Sequence, residues 1–425
     1  MSKQPPNAQY ISPQQLCIGL YIHLDLGWME HSFASSHFKI KNQQQIDDIR
    51  KLGLKRIRYD PAVSDVKPIP IEDSPPPPVI TETWNAEEEA VLAEKQSRIE
   101  QLKSIQNNIA RVEHSFVRSV DTVRNITRDI YSRPAEAYAE TNTLINKMLS
   151  CMVDHSDILI HAMGNHLGNN IYFHSMNVTV LSLMLAKSLG FSNTDMQDLG
   201  MAAMLHDIGK HDIPHKILAK TEPLTKAEQT IVEQHSGLGA AAAKKMGLSN
   251  AASLAILLHH EYVDGSGYPR QLTGDKMTPI SRVLSLVNAY DNLCNPANGS
   301  PGLTPAEALS RMFIKQRAKF DDEMLNAFIK GLGVYPPGSL VRLSNDLVGL
   351  VLCVNSSNPM KPDVLIYDAD TPKNEAVILQ LANEPEIKIT KSLRVAELSH
   401  ETVEYLNPRT HVTYGMDTKT KSNSY

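Results

Sequence analysis

The chain of 425 residues is 42% hydrophobic and 21% charged, which is ordinary globular usage, and at roughly 150 residues per domain it has material for two or three domains. Forty-two Lys and Arg against 47 Asp and Glu leave a formal charge of −5, without the basic excess that counterion release from duplex nucleic acid exploits, so that function class is disfavoured. Cys17, Cys151, Cys294 and Cys353 are far apart with no C-x-x-C spacing, against a zinc knuckle or a disulfide framework, and no run approaches the roughly 18 apolar residues that cross a bilayer. The expected setting is a reducing cytoplasm, with no membrane association.

In chain order, residues 1–58 read as a small α+β domain: β-like runs at Gln15–His23 and Phe38–Lys41, and a helix at Gln43–Leu52 whose Ile46 and Ile49 share a face. Residues 59–85 form a semi-rigid linker, with seven of the 25 prolines between Pro61 and Pro78. Residues 86–150 read as a long helical linker. Its Leu102, Ile105, Ile109, Val112 and Phe116 step by 3, 4, 3, 4 as a heptad seam, open to two readings: a stripe packed on its own chain, or a dimeric coiled coil. Pro134 ends or kinks this helix. Residues 151–335 read as an all-α core, with helices at Ile171–Leu189, Asp195–His206, Lys226–Met246, Ala251–His260, Ile280–Leu293, Pro305–Lys315 and Asp321–Gly331. Residues 336–410 switch to short β-branched runs, and residues 411–425 form a disordered tail. The fold class is mainly α.

Ten of the 16 histidines fall within residues 155–260, and the chemistry is expected there. His206 and Asp207 end a strongly apolar helix, and Lys210, one turn on, aims a cation at the same place. Taken alone, such a dipeptide is more often structural; its company reverses that. His259 and His260 end a second apolar helix, and adjacent helical positions diverge by about 100°, which suits two neighbouring metals better than one. His235 and His174 add candidate ligands from separate helices, a common way to build carboxylate–histidine sites in bundles. His211 and His215 read as solvated, and His155, His161 and His166 as lying ahead of the core.

The run His206-Asp207-Ile208-Gly209-Lys210, with His259-His260-Glu261 and Asp264-Gly265-Ser266-Gly267-Tyr268-Pro269, resembles the HD-GYP subgroup of the HD-domain phosphohydrolases, bacterial phosphodiesterases of cyclic dinucleotide signals. The resemblance covers roughly residues 150–335. Upstream, Gly19-Leu20-Tyr21-Ile22 and Trp28-Met29-Glu30-His31-Ser32-Phe33 resemble the uncharacterised domain often found ahead of such modules. The resemblance implies metal ligation by His206, Asp207, His235, His259 and His260, joined by His174, and catalysis by Asp207 and by Lys210 near the substrate phosphate. It also implies substrate contacts from Asp264, Gly265, Gly267, Tyr268 and Pro269, and a diguanylate cyclase (GGDEF) partner. Glu261 is expected to orient a ligand histidine.

Three positions depart from the family pattern. Asn170 stands where three-metal members carry Glu, and Asn288 where a bridging Asp is usual, so Asn288 enters the expected ligand set as a weaker, neutral donor. Asp291 is a candidate substitute ligand, with a surface or capping role favoured. The segment Asn295-Pro296-Ala297-Asn298-Gly299-Ser300-Pro301 lacks the cations that hold nucleotide phosphates in many members. Two divalent ions are expected rather than three; iron or manganese suits the His-rich set better than calcium, with zinc left open.

The resulting expectation is metal-dependent hydrolysis of cyclic di-GMP or 3',3'-cyclic GMP-AMP. The alternative, from another class, is a degenerate receptor that binds the nucleotide and signals without turnover, which the two asparagines motivate and the intact His206, Asp207, Lys210, His235, His259 and His260 oppose. An HD-type hydrolase of mononucleotides is disfavoured by the Gly265–Pro269 loop. A homodimer through the linker helix is the expected assembly.

Overall fold

The computed structural model describes residues 9–26, 33, 37–70, 86–153, 161–162, 171–297, 300–354, 358–408 and 414–415. The tetraproline, Trp28–His31, His155, His166, Asn170 and the C-terminal tail apart from Tyr414 and Gly415, which entered the expectations above, lie outside them; those two residues are strand rather than disordered. The chain divides into two compact units, Met1–Gln96 with Asp368–Glu375, and Ser97–Tyr367 with Ala376–Tyr425.

In the first unit, strands β1 (Gln9–Ile11), β2 (Tyr21–His23), β3 (His37–Lys39) and β4 (Ile57–Tyr59) form an antiparallel sheet in the order β1-β4-β2-β3. Helix α1 (Gln43–Lys51) starts at Asn42, whose side chain accepts the Gln45 N–H, and buries Ile46 and Ile49. These join Ile11, Leu16, Leu20, Ile22, Ile40 and Ile57 in one small core. The expected α+β texture is present. The strands β1 and β4 were not read from the sequence.

The second unit is built mainly of helices. The long helix α2 (Ala86–Asp129) enters it, and α3 (Pro134–Val153) begins at Pro134, the position the sequence marked as a break. Phe116, Val120, Val123, Ile126 and Ile130 are buried in the same core as Ile145 and Met148 of α3. The C-terminal half of the expected linker helix therefore packs on its own chain. After the two-residue strand β5 (His161–Ala162) come α4 (Ile171–Ser188), α5 (Asn193–Leu205), α6 (His215–Leu218), α7 (Lys226–Glu233), α8 (His235–Met246), α9 (Asn250–Leu258), α10 (Pro279–Cys294), α11 (Pro305–Lys315) and α12 (Asp322–Leu332).

Helix α4 packs on α5, α10 and α12, and α9 packs on α5, α8 and α10. This explains why α4 is apolar nearly all round, with Ser175 to Ala186 buried without interruption. The single helix expected over Lys226–Met246 is two: Gln234 donates to Ile231 three residues back, and His235 begins α8. The other helices expected in this core lie within two residues of their expected bounds, whereas the short α6, in a stretch read as a polar loop, was not expected.

The C-terminal region forms a five-stranded antiparallel sheet of β6 (Leu340–Leu343), β7 (Val348–Cys353), β8 (Asp363–Ile366), β9 (Ile378–Gln380) and β10 (Ile389–Leu393), ordered β10-β6-β7-β8-β9. Val341, Leu343, Val351, Val364 and Ile366 bury one face. Leu340 and Leu393 bury the other, with Leu406 of α13 (His400–Leu406), as strand alternation requires. A two-residue strand, β11 (Tyr414–Gly415), pairs with β5. No helix among the described residues is long and apolar enough to cross a membrane.

Candidate metal centre

Five histidines and one aspartate from α4, α5, α8 and the end of α9 converge on one point. His206 caps α5, and Asp207 opens the 3-10 turn Ile208–Asp212. That turn lies directly on α8. A Cβ added at Gly209 would stand 2.0 Å from the His235 carbonyl oxygen and 2.5 Å from the Gly239 nitrogen, so any side chain there would push Asp207 away from His235. The spacing Asp207-Ile208-Gly209-Lys210 thus has a packing reason as well as a chemical one.

The carboxylate of Asp207 sits between two histidine groups. Its Oδ2 faces His174 Nε2 at 3.7 Å and His206 Nε2 at 3.5 Å, and its Oδ1 faces His235 Nε2 at 3.5 Å and His259 Nε2 at 3.8 Å. Potential donor atoms fall into two sets that share Asp207: one with His174 and His206, the other with His235, His259 and His260. His259 and His260 belong to the same set, contrary to the expectation that adjacent histidines would serve different ions. Helix α9 ends at Leu258, so the two rings no longer obey the helical 100° offset, and their centroids are 4.1 Å apart.

The ring orientations are fixed from behind. Nδ1 of His206 donates to Ala203 at 2.8 Å, Nδ1 of His235 to Val232 at 2.5 Å and Nδ1 of His259 to Ile256 at 2.6 Å, each to a backbone carbonyl three residues earlier. His174 does the same with a carboxylate: its Nδ1 lies 2.6 Å from Asp291 Oδ2. Every one of these four rings therefore turns an Nε2 lone pair toward Asp207. Burial keeps the imidazoles of His206, His235, His259 and His260 neutral. It pushes His206 down to about 4 and His259 and His260 well below the usual histidine range, and lowers His235 as well. For Asp207 burial acts the other way, but Lys210, with Nζ 2.6 Å from Oδ2, and His206 outweigh it and hold the carboxyl well below its ordinary value.

This donor set fits a pair of cations. His174 Nε2 and His206 Nε2 are 3.1 Å apart, as are His235 Nε2 and His259 Nε2; within each pair both atoms carry lone pairs, which repel unless a cation lies between them. Metal–nitrogen bonds of about 2.0–2.1 Å place neighbouring ligand nitrogens roughly 3 Å apart. Asp207 Oδ1, buried, has no hydrogen-bond partner, a cost that coordination would remove.

The remaining expected site residues are placed as follows. Asn288 is buried beside the cluster; its Oδ1 accepts from Asn292 at 2.9 Å and its Nδ2 approaches the His259 carbonyl at 3.5 Å. Asp291 is no surface or capping residue. It is fully buried and accepts from Asn177 at 2.9 Å and Asn295 at 3.1 Å as well as from His174, so it orients a candidate ligand. Sequence reasoning missed this role because it depends on α4 meeting α10; the signal was an acidic residue one turn after Asn288 on an otherwise apolar helix. Glu261 does not orient a histidine. Its carboxylate accepts the backbone N–H groups of Arg270 at 2.5 Å and Leu272 at 3.0 Å.

Of the loop residues, Tyr268 reaches the cluster, with its ring stacked on His260 at 4.6 Å and 19°. Gly267 lies against the backbone behind it, where a Cβ would meet the His260 oxygen at 2.4 Å. Asp264 is exposed and accepts the Ser266 N–H at 2.9 Å, Gly265 takes φ +78°, and Pro269 is exposed. His211 is exposed, with its ring edge toward Tyr131 at 6.3 Å, and His215 is exposed at the start of α6.

Residues 145–324 match the HD domain family, and residues 9–141 match the family described as Domain of unknown function (DUF3391). The chain is similar to Cyclic di-GMP phosphodiesterase PA4108 of Pseudomonas aeruginosa, 25% identical over 83% of each chain. It is similar to Cyclic di-GMP phosphodiesterase PdeB of Borreliella burgdorferi, 28% identical over 44% of this chain and 50% of that one. It is also similar to the 3'3'-cGAMP-specific phosphodiesterase 3 of Vibrio cholerae, 28% identical over 48% of this chain and 43% of that one. Among solved structures, Bd1817, a HDG"Y"P protein from Bdellovibrio bacteriovorus, aligns with a TM-score of 0.40 at 17% identity, over 76% of this chain and 98% of that one. The chain carries a DUF3391 domain followed by an HD domain.

Proposed function

We propose that this chain is a metal-dependent phosphodiesterase that hydrolyses a cyclic dinucleotide, cyclic di-GMP or 3',3'-cyclic GMP-AMP. The observation that carries the reading is the convergence of four imidazole Nε2 atoms on both oxygens of a single buried carboxylate, together with relatives described as phosphodiesterases of those two nucleotides.

Two divalent cations, held by His174, His206 and Asp207 on one side and by Asp207, His235, His259 and His260 on the other, would supply Lewis acidity to a phosphodiester and make water a stronger acid. The chain's own groups do the rest. Asp207 keeps its negative charge at neutral pH and spans both sets. Lys210 is partly exposed beside it and offers a cation to negative charge developing on phosphate oxygens or on the departing ribose oxygen. Tyr268 covers one flank of His260 and narrows access of water. Asp264, Gly265, Gly267, Tyr268 and Pro269 form the loop proposed to receive the nucleotide.

The His-rich donor set favours iron or manganese, with zinc as a competitor. A cytoplasmic location, a homodimer through α2 and a GGDEF-domain partner belong to the same proposal. Asn288 favours a second reading, a receptor without turnover, since its amide adds no charge to the centre and its Oδ1 is already engaged. Loading the protein with Fe(II), Mn(II) or Zn(II) and incubating it with each cyclic dinucleotide separates the two. Linear or mononucleotide product identified by mass supports the enzyme, whereas saturable binding with intact nucleotide in every metal form supports the receptor.

A further inference from the structure

We infer that Glu261 is a positioning residue that holds the substrate loop in shape over the metal centre, an inference that rests on the phosphodiesterase reading. Glu261 is fully buried and immediately follows His259 and His260. Instead Oε1 accepts from the Arg270 N–H and Oε2 from the Leu272 N–H. Between those two donors stands Gln271, at φ +53°, a left-handed conformation that is strained for a residue with a side chain. Backbone N–H groups flanking a left-handed residue form a concavity that takes an anion, and here the anion is the protein's own carboxylate.

The rest of the loop depends on this anchor. Glu261 is tied to α10, since its carbonyl accepts from Ser285 Oγ at 2.5 Å. Gly267 packs on the Glu261 backbone, where a Cβ would come within 2.5 Å of its Cα. The Tyr268 N–H donates to His260 at 3.1 Å, and the Tyr268 ring stacks on that histidine. Glu261 therefore links α10 through its backbone and the far limb of the loop through its carboxylate, and fixes where Tyr268 stands relative to the centre. A glutamine is nearly the same size but carries one acceptor oxygen, so its NH2 would face one of the two loop N–H groups donor to donor.

The test uses the full-length, metal-loaded protein. Glu261→Gln is expected to raise KM for the cyclic dinucleotide about tenfold or more, equivalent to about 1.4 kcal/mol, with kcat changed far less and with bound metal per chain unchanged. Adding Gln271→Gly, which removes the left-handed penalty, is expected to recover part of that loss. An unchanged KM, or activity lost only in step with metal, overturns the assignment. Should Glu261→Gln fail to fold, amide hydrogen exchange on the unmodified protein decides: Arg270 and Leu272 are expected to exchange slowly despite flanking exposed residues, and fast exchange at both overturns it. Absence of turnover by the unmodified protein overturns the phosphodiesterase reading instead and leaves the exchange measurement to judge the anchor.

Discussion

On the proposed reading a single side chain, Asp207, would do what two ligands would otherwise do, because its two oxygens face opposite histidine sets. Removing it should therefore cost more than removing any one histidine. Asp207→Ala is expected to lower bound metal toward zero and abolish turnover, whereas His174→Ala or His260→Ala should leave the opposite set largely loaded; metal analysis of the purified variants checks this, and equal losses would contradict the shared role. Lys210 belongs to the same scale with the opposite sign toward metal. Its ammonium sits 2.6 Å from Asp207 Oδ2 and competes with any cation for that oxygen, so Lys210→Ala should bind metal at least as tightly as the parent. Turnover should nevertheless fall by about 10²-fold or more if Lys210 stabilises charge in the transition state, and a variant that loses metal instead would make it structural. Asn288→Asp is expected to raise metal affinity, since the added carboxylate can still accept from Asn292, and unchanged affinity would remove Asn288 from the centre.

Helices hold these residues in place, and here the sequence was only partly informative. His206, Asp207, Lys210, His259 and His260 could be read as a site because each motif sets ligand-type residues side by side at the end of an apolar helix; the structure adds the packing, in which Gly209 admits α8 and Gly267 admits the loop to the backbone of Glu261. Asp291 could not, since its meaning lies in a contact with His174 across 117 positions, made only when α10 packs on α4. The break between α7 and α8 was equally hidden, because no Gly or Pro lies between Lys226 and His235. Asp291 now supports a prediction at the level of that helix pair. Asp291→Asn keeps the shape but leaves the His174 Nδ1–H with at best a neutral acceptor, so the ring loses both its orientation and part of its basicity. Supporting partners of this kind are worth about 10–100-fold in metal affinity. The weaker of two metal-binding steps, followed by titration calorimetry, should shift by that amount while the other stays put; a shift in both or neither would show that Asp291 serves the fold alone.

For the molecule as a whole, the centre is a store of acid sensitivity. His206 is fully buried and held at about 4, whereas in the unfolded chain it protonates near 6.5. Below that value the unfolded state binds a proton that the folded state refuses, so stability is complete above about pH 6.5 and is lost as pH falls toward 4, on the order of 3 kcal/mol from this ring alone. His235, His259 and His260 are displaced in the same direction, each first by burial, and add to the slope. Asp207 does not offset it, because its carboxyl is held below its ordinary value and its contribution disappears only at more acid pH. The metal-stripped protein should therefore lose melting temperature steadily from pH 6.5 to pH 4, and His206→Asn should flatten part of that decline. Divalent metal binds only the deprotonated rings and stabilises the folded state through mass action, so adding Mn(II) or Zn(II) should raise the melting temperature more at pH 7 than at pH 5. A melting temperature that is flat across this range without metal, or equally raised by metal at both pH values, would mean that the buried histidines do not govern the stability of the domain.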